Sequence, residues 1–302
     1  MVQINLEIED IENLLKNTHY ERFIGHFQQI ELKNFVYKNL FKIGNDKLGH
    51  YSIKIRENSE KQIIDTINCL SVLNDNEEFV NKIIDVIEKD NHIVMVSEWL
   101  NGVQPIDENN RKLLPSFFEK LAFLNKQNII NGPYTSMYLD GKFFETINEL
   151  IDWEINYHRK YLQIFIEMDE IIKYLKNLNL GLSCIILEDV NTGNLLLTND
   201  GKYKYIDTEW IMRGLNLYQF EKIDYFGFEE KTWYNITDEA EECYRAYFNT
   251  LGIKDDEANE QIRAYELLSA LRKNTYLKYI KKDDDKEIER RIKIIIGKNK
   301  FI

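Results

Sequence analysis

The sequence predicts an α+β fold of two lobes, a small β-rich lobe over residues 1–100 and a larger helical lobe over residues 101–302. Three observations carry this expectation. Extended, β-branched runs separated by turn signals dominate up to about residue 100, and amphipathic helical patterns dominate beyond it. One apolar stretch, "CIILEDVNTGNLLLTNDGKYKYIDTEW" at 184–210, then interrupts the helices with a hairpin. A chain of 302 residues, 44% hydrophobic and 30% charged, can bury cores for two such lobes and lacks the polar bias of a disordered protein.

Taken in order, Ile8, Ile11, Leu14 and Leu15 recur at helical spacing and predict a short leading helix. From about 30 to 56, two β-rich runs flank the turn signal "GNDKLG" and read as a hairpin, with Lys54 in its second strand. Residues 59–73 place Ile63, Ile67, Leu70 and Leu73 on one helical face, with Ser59 as N-cap. "FVNKIIDVIEKDN" and "HIVMVSEWLNG" are β-branched runs around a further turn. Helical patterns follow over "RKLLPSFFEKLAFLNKQN" and "INELIDWEINYHRKYLQIFIEMDEIIKYLKNL", and again from about 237 to the end, where the mixed charges of "KKDDDKEIERRIKIIIGKNK" suit a solvated helix face. Within 184–210, "CIIL", "NLLLT" and "YKYIDT" are extended segments and "TNDGK" is the tight turn between the last two.

Composition narrows the function. A formal charge of −12 repels phosphate backbones and anionic head groups, so neither nucleic acid nor membrane is an expected partner, and a cationic ligand is better matched. Cys69, Cys184 and Cys243 are odd in number and lack CxxC spacing, which predicts free thiols in a cytoplasmic protein rather than a disulfide framework or a zinc site. The acidic N-terminal segment is unlike a signal peptide, and no apolar run approaches the roughly 18 residues of a membrane span. The absence of HxxxH, HExxH and GxSxG patterns removes support for metalloprotease and serine hydrolase chemistry.

The chemistry-bearing residues lie in the apolar stretch. Phosphoryl transfer needs metal ions on the phosphates and a carboxylate at the attacking hydroxyl. Asp189 can accept or orient the hydroxyl proton, Asn194 can ligate Mg²⁺ through its amide oxygen, and Asp207 can hold the ion that bridges the phosphates. The five-residue separation of Asp189 and Asn194 spans one loop in which Gly193 permits a tight turn, and the hairpin returns Asp207 to the same end. Carboxylates beside such apolar runs are tolerated when cations compensate them.

The run "LEDVNTGNLLLTNDGKYKYIDTEW" resembles the catalytic loop, hairpin and metal-binding strand of the choline kinase and aminoglycoside phosphotransferase superfamily, a branch of the protein-kinase-like fold. Asp189, Gly193, Asn194, Asp200, Gly201, Ile206, Asp207 and Glu209 match its pattern in order. The resemblance implies a two-lobed protein-kinase-like fold and transfer of the γ-phosphate of ATP or GTP, with Mg²⁺, to the hydroxyl of a small molecule: choline or ethanolamine, an aminoglycoside, or a sugar. It also implies that Lys54 contacts the α- and β-phosphates, that the backbone around Ser97, Glu98 and Trp99 holds the base, and that an acidic residue pairs with Lys54. Asp65 is the best match for that residue, with Glu60 and Gln62 as alternatives.

The departures are equally definite. Leu187 and Glu188 stand where the family has His followed by Gly or Asn, the phosphate-loop region "QQIELKN" has no glycine, and "GLNLYQFEKIDY" replaces the usual Asp-Leu-Ala-like segment. They motivate an alternative of another class, a nucleotide-binding pseudokinase with a regulatory or scaffold role. Trp153, Glu154 and Tyr157 on one helical turn, and Trp210, Trp233 and Tyr234 after the metal strand, have two readings: core packing, the commoner fate of such aromatics, or aromatic faces with a carboxylate that suit a quaternary ammonium or amino sugar.

Overall fold

The computed structural model describes residues 7–32, 35–45, 47, 49–57, 69, 71, 79–104, 111–132, 134–135, 142–161, 168–177, 180–187, 190, 194–206, 211–220, 238–276 and 278. The chain divides into two compact units. The first comprises Met1–Val103 with Leu196–Glu209, and the second Gln104–Leu195 with Trp210–Ile302.

The first unit is built on an antiparallel five-stranded sheet, order β1-β2-β3-β5-β4, from β1 (Phe27–Leu32), β2 (Phe35–Asn45), β3 (Gly49–Glu57), β4 (Ile83–Lys89) and β5 (His92–Glu98). Two-residue periodicity sorts its faces. Phe41 and Ile43, Ile53 and Ile55, and Val94 and Val96 bury one face against Ile11, Leu14 and Leu15 of helix α1 (Ile8–Leu15) and against Tyr20 and Phe23. Ile8, on the same predicted apolar stripe, is instead 52% exposed. The Lys89 ammonium closes the far end of α1 on the carbonyls of Asn13 and Lys16, at 2.8 and 2.9 Å, where a cation complements the helix dipole.

The turns obey their residues. Gly44 has φ +106°, and a Cβ there would lie 2.0 Å from the Gly49 carbonyl oxygen, so the predicted β2–β3 hairpin requires glycine at that point. Asp90 and Asn91, both left-handed, turn β4 into β5. A second, three-stranded sheet of this unit joins β10 (Leu195–Thr198) to β11 (Tyr203–Tyr205) and to β6 (Gly102–Val103), in the order β11-β10-β6.

In the second unit, β9 (Ser183–Leu187) pairs antiparallel with β12 (Ile211–Leu215), and β7 (Tyr134–Thr135) with β8 (Phe143–Phe144). Its helices are α2 (Leu114–Gln127), α3 (Ile147–Tyr161), α4 (Met168–Asn177), α5 (Asp238–Leu251) and α6 (Asp255–Tyr276). The predicted helical stretches resolve into these segments, while β12 falls in a run with no predicted strand. The three cysteines are buried free thiols. Among the described residues no helix is long and apolar enough to cross a membrane. The expected helix over 59–73 and the charged C-terminal segment fall, but for residues 69 and 71, outside the described residues.

Candidate active site

In the first unit, Lys54 sits in mid-β3 between Leu40 of β2 and Met95 of β5. Alternation turns it away from Ile53 and Ile55, whose side chains are fully buried, and it is half-buried on the opposite face. Ser97, at the end of β5, is buried on that same face across from Ser52. Glu98 is held on three sides: its N–H donates to the Lys82 carbonyl at 3.0 Å, its carbonyl accepts from Ser52 Oγ at 3.4 Å, and its carboxylate accepts from Lys82 N–H and Lys204 Nζ, both at 3.1 Å. The strand end predicted to carry the base is therefore fixed by charge-assisted hydrogen bonds. Trp99 follows, its indole N–H donating to Asn101 Oδ1 at 3.2 Å.

The strand before Asp207 is anchored as firmly. Tyr205 is fully buried, bridges in parallel to Val80, accepts from Asn81 N–H at 2.9 Å and donates to the Phe79 carbonyl at 3.0 Å. The "TNDGK" turn closes as predicted, with Gly201 at φ +77° and Gly201 N–H donating to the Thr198 carbonyl at 2.9 Å.

In the second unit, all five residues of β9 are buried, and its register with β12 sets Leu187 opposite Ile211. The last residue of β9 and the first of β12 thus lie together at one end of this ribbon. Polar side chains at 0% exposure brace β9 from within. Asn125 of α2 donates to the Ile185 carbonyl at 2.8 Å and accepts from Gln219 Nε2 and from the Tyr247 hydroxyl, both at 2.6 Å. Asn216 completes the set, accepting from Leu182 N–H at 3.0 Å and donating to the Tyr247 hydroxyl at 3.2 Å. Burial pushes the Tyr247 phenol well above its ordinary pKa, so it stays a neutral donor. Low dielectric strengthens each of these bonds and makes the set costly to break.

The fold recurs in solved structures. The chain superimposes on the fructosamine-3-kinase of Haemophilus somnus, so described in its crystal structure, with a TM-score of 0.58 at 17% identity over 95% of this chain and 96% of that one. A thermostable variant of the aminoglycoside phosphotransferase APH(4)-Ia, crystallised with AMP-PNP and hygromycin B, gives a TM-score of 0.60 at 15% identity over 95% and 98%. The Plasmodium vivax ethanolamine kinase gives 0.56 at 13% identity over 97% and 85%. The chain shares the kinase-like fold of these proteins. No family model and no curated protein matches it.

Within this kinase-like fold, Lys54, Ser97, Glu98 and Trp99 lie in the first unit, and Asn194, half-buried immediately ahead of β10, lies in the second. Asp65, Glu60, Gln62, Glu188, Asp189, Gly193, Asp207 and Glu209, with Trp210, Trp233 and Tyr234, fall outside the described residues.

The aromatic turn of α3 divides. Trp153 and Tyr157 stack with centroids 5.6 Å apart, and Trp153 also meets Phe144 at 5.4 Å and the Lys142 ammonium at 5.0 Å, so a cation of the chain itself lies over this ring. Glu154, one residue on, is 1% exposed and faces inward: it accepts from the Tyr218 hydroxyl at 2.6 Å and from Arg272 Nε, and His158 Nε2 lies 3.8 Å away. One helical step rotates a side chain by about 100°, so neighbours on a helix cannot share a ligand face. Glu154 is a core carboxylate, in line with the packing reading of this turn and not with a ligand pocket.

Two further features carry no local signal. The Asn125 network is assembled from four separate segments. Lys42 faces the same side of the sheet as Lys54, and only the register of the hairpin, Leu40 with Lys54 and Lys42 with Ser52, reveals it.

Proposed function

We propose that the protein is a small-molecule kinase that transfers the γ-phosphate of ATP or GTP to a hydroxyl of its substrate. One observation carries the reading: the motif and the strands agree. Asp189 follows β9 by two residues, Asn194 immediately precedes β10, and Asp207 follows β11 by two residues, in a fold shared with proteins named as fructosamine, aminoglycoside and ethanolamine kinases. Strand ends deliver short loop residues to fixed points, which is how folds of this kind position chemistry.

Asp189 is the base that takes up or orients the hydroxyl proton. Lys54 neutralises the α- and β-phosphates, with Asp65 as its proposed partner, and the backbone around Ser97, Glu98 and Trp99 seats the base. Asn194 and Asp207 present only hard oxygen donors, a set that fits Mg²⁺, and the burial of Leu195 anchors the backbone that carries Asn194. When bound, the ion offsets charge on the phosphates. The acceptor is a small alcohol; with a net charge of −12, a cationic one is favoured over an anionic one.

Asp189→Asn should retain nucleotide binding in a calorimetric titration and lose transfer to any hydroxyl acceptor. Retained turnover would remove Asp189 from the role of base. The sequence departures support the second reading, a pseudokinase with a regulatory or scaffold role: Leu187 and Glu188 precede Asp189, and the phosphate-loop region "QQIELKN" has no glycine to let a backbone approach phosphate closely. Mg²⁺-dependent nucleotide binding without turnover across a panel of alcohols would favour it.

A further inference from the structure

Residues 98–103 run on from the strand end proposed to seat the base, and they are tied to the β10–β11 hairpin at both ends. At the exit the tie is a ladder: β6 pairs with β10, Gly102 with Thr198 and Val103 with Leu197. At the entry it is an ion pair, in which Lys204 Nζ of β11 donates to Glu98 Oε1 at 3.1 Å. Alternation frees Lys204 for this contact. Tyr203 and Tyr205 are buried on one face of β11, which turns Lys204 to the other; its side chain keeps 18% exposure and that of Glu98 33%.

Residues 79–82 complete the brace. Tyr205 N–H donates to the Phe79 carbonyl at 3.0 Å, and the Tyr205 carbonyl accepts from Asn81 N–H at 2.9 Å. One residue on, the Lys82 carbonyl accepts from Glu98 N–H at 3.0 Å, and Lys82 N–H donates to Glu98 Oε1 at 3.1 Å. Glu98 Oε1 thus accepts one hydrogen bond from this backbone segment and one from the strand that leads to Asp207, three residues past Lys204.

In the nucleotide-site reading a base engages only the end of β5, and a metal-bound phosphate only the end of β11. A nucleotide held at both needs them at one fixed spacing. A protein that already holds that spacing loses less conformational freedom on binding. We propose that Lys204, through Glu98, is a positioning residue that sets the spacing between the base end and the metal strand. The inference rests on the nucleotide-site reading above and adds to it a residue that acts through another. Because the pair keeps some exposure, its effect is modest, about fivefold in affinity.

The test is equilibrium titration of ATP with Mg²⁺, inorganic tripolyphosphate with Mg²⁺, and adenosine, with GTP and guanosine in place of ATP and adenosine should only GTP bind. Each fragment reaches one end alone and is read by competition with the nucleotide. The proteins are the wild type, Lys204→Met, Lys204→Arg, Glu98→Gln and the double variant Lys204→Met with Glu98→Gln. Lys204→Met should weaken the nucleotide about fivefold and leave both fragments within about twofold of wild type. Lys204→Arg, which keeps a charge-assisted hydrogen bond, should hold the nucleotide within about twofold of wild type. The double variant should bind no more than about twofold more weakly than Lys204→Met, because the two residues act as one pair.

Unchanged nucleotide binding by Lys204→Met, or losses that multiply in the double variant, would overturn the inference and leave the nucleotide site standing. Equal weakening of tripolyphosphate would make Lys204 a phosphate contact, and equal weakening of all three probes would make it a fold effect; either result overturns it. Binding of neither ATP nor GTP to the wild type would overturn both this inference and the reading beneath it. Where a fragment is too weak to compete, the Arg variant and the double variant decide. Should Lys204→Met fail to fold, Glu98→Gln, which keeps an acceptor for Lys82 N–H, gives the same comparison.

Discussion

Replacing Glu154 by glutamine removes one charge from the interior of the second unit and changes little else in shape. Glu154 is 1% exposed, and around it stand the Arg272 guanidinium, the Tyr218 hydroxyl and His158, whose Nδ1 in turn meets Thr275 Oγ1 at 2.8 Å. Arg272 also lies 4.0 Å over the Tyr218 ring. Burial by itself would raise the Glu154 carboxyl, but the charge and hydrogen bond of Arg272, with the His158 ring nearby, outweigh it and draw the pKa down to about 2 from 4.5. That gap corresponds to roughly 3 kcal/mol of stability held by the ionised form. The sign follows from linkage: a carboxyl depressed on folding stabilises fully above about pH 4.5, and the contribution is lost as pH falls toward 2. Glu154→Gln should therefore cost about 3–5 kcal/mol at pH 7, the range for removing one member of a buried pair. Urea denaturation followed by circular dichroism, at pH 7 and at steps down to pH 3, measures both effects. The variant should also lose part of the wild type's acid sensitivity in that interval. A loss below about 1 kcal/mol at pH 7, or an unchanged acid dependence, would refute the argument.

Two further outcomes follow from single contacts. Asn125→Ala strips the buried Ile185 carbonyl of its side-chain donor and leaves the Gln219 amide and Tyr247 hydroxyl, both at 0% exposure, without their shared acceptor; unfolding free energy should fall by roughly 2–4 kcal/mol in the same urea assay, and a loss under about 0.5 kcal/mol would mean the network is replaceable. Gly44→Ala and Gly201→Ala make a matched pair, both left-handed: the first would set Cβ 2.0 Å from the Gly49 carbonyl oxygen, while nothing lies within 4 Å of the second. Gly201→Ala should cost about 1 kcal/mol from φ alone and Gly44→Ala at least about 2 kcal/mol, as read by thermal melting; equal effects would show that the hairpin rearranges at no cost.

Much of the first unit is legible in the chain because its information is local. Alternation sorts Ile53 and Ile55 from Ser52 and Lys54, the glycines at 44 and 49 force one hairpin, and Asn199, Asp200 and Gly201 force another. The order of Asp189, Asn194 and Asp207 is likewise a property of the sequence, and with the residues around it resembles the motif of a kinase-like fold. The tertiary structure decided what depends on partners far along the chain. Leu187 finds Ile211, Leu197 finds Val103, and the β10–β11 hairpin joins the first unit although the residues on either side of it belong to the second. No local pattern encodes such a pairing, because its energy comes from burying β9 and closing a ladder across an intervening loop. Glu154 shows the same limit in a single side chain: its sequence neighbours Trp153 and Tyr157 allow a ligand face as well as core packing, and only the position of Arg272, 118 residues away, turns it into the core.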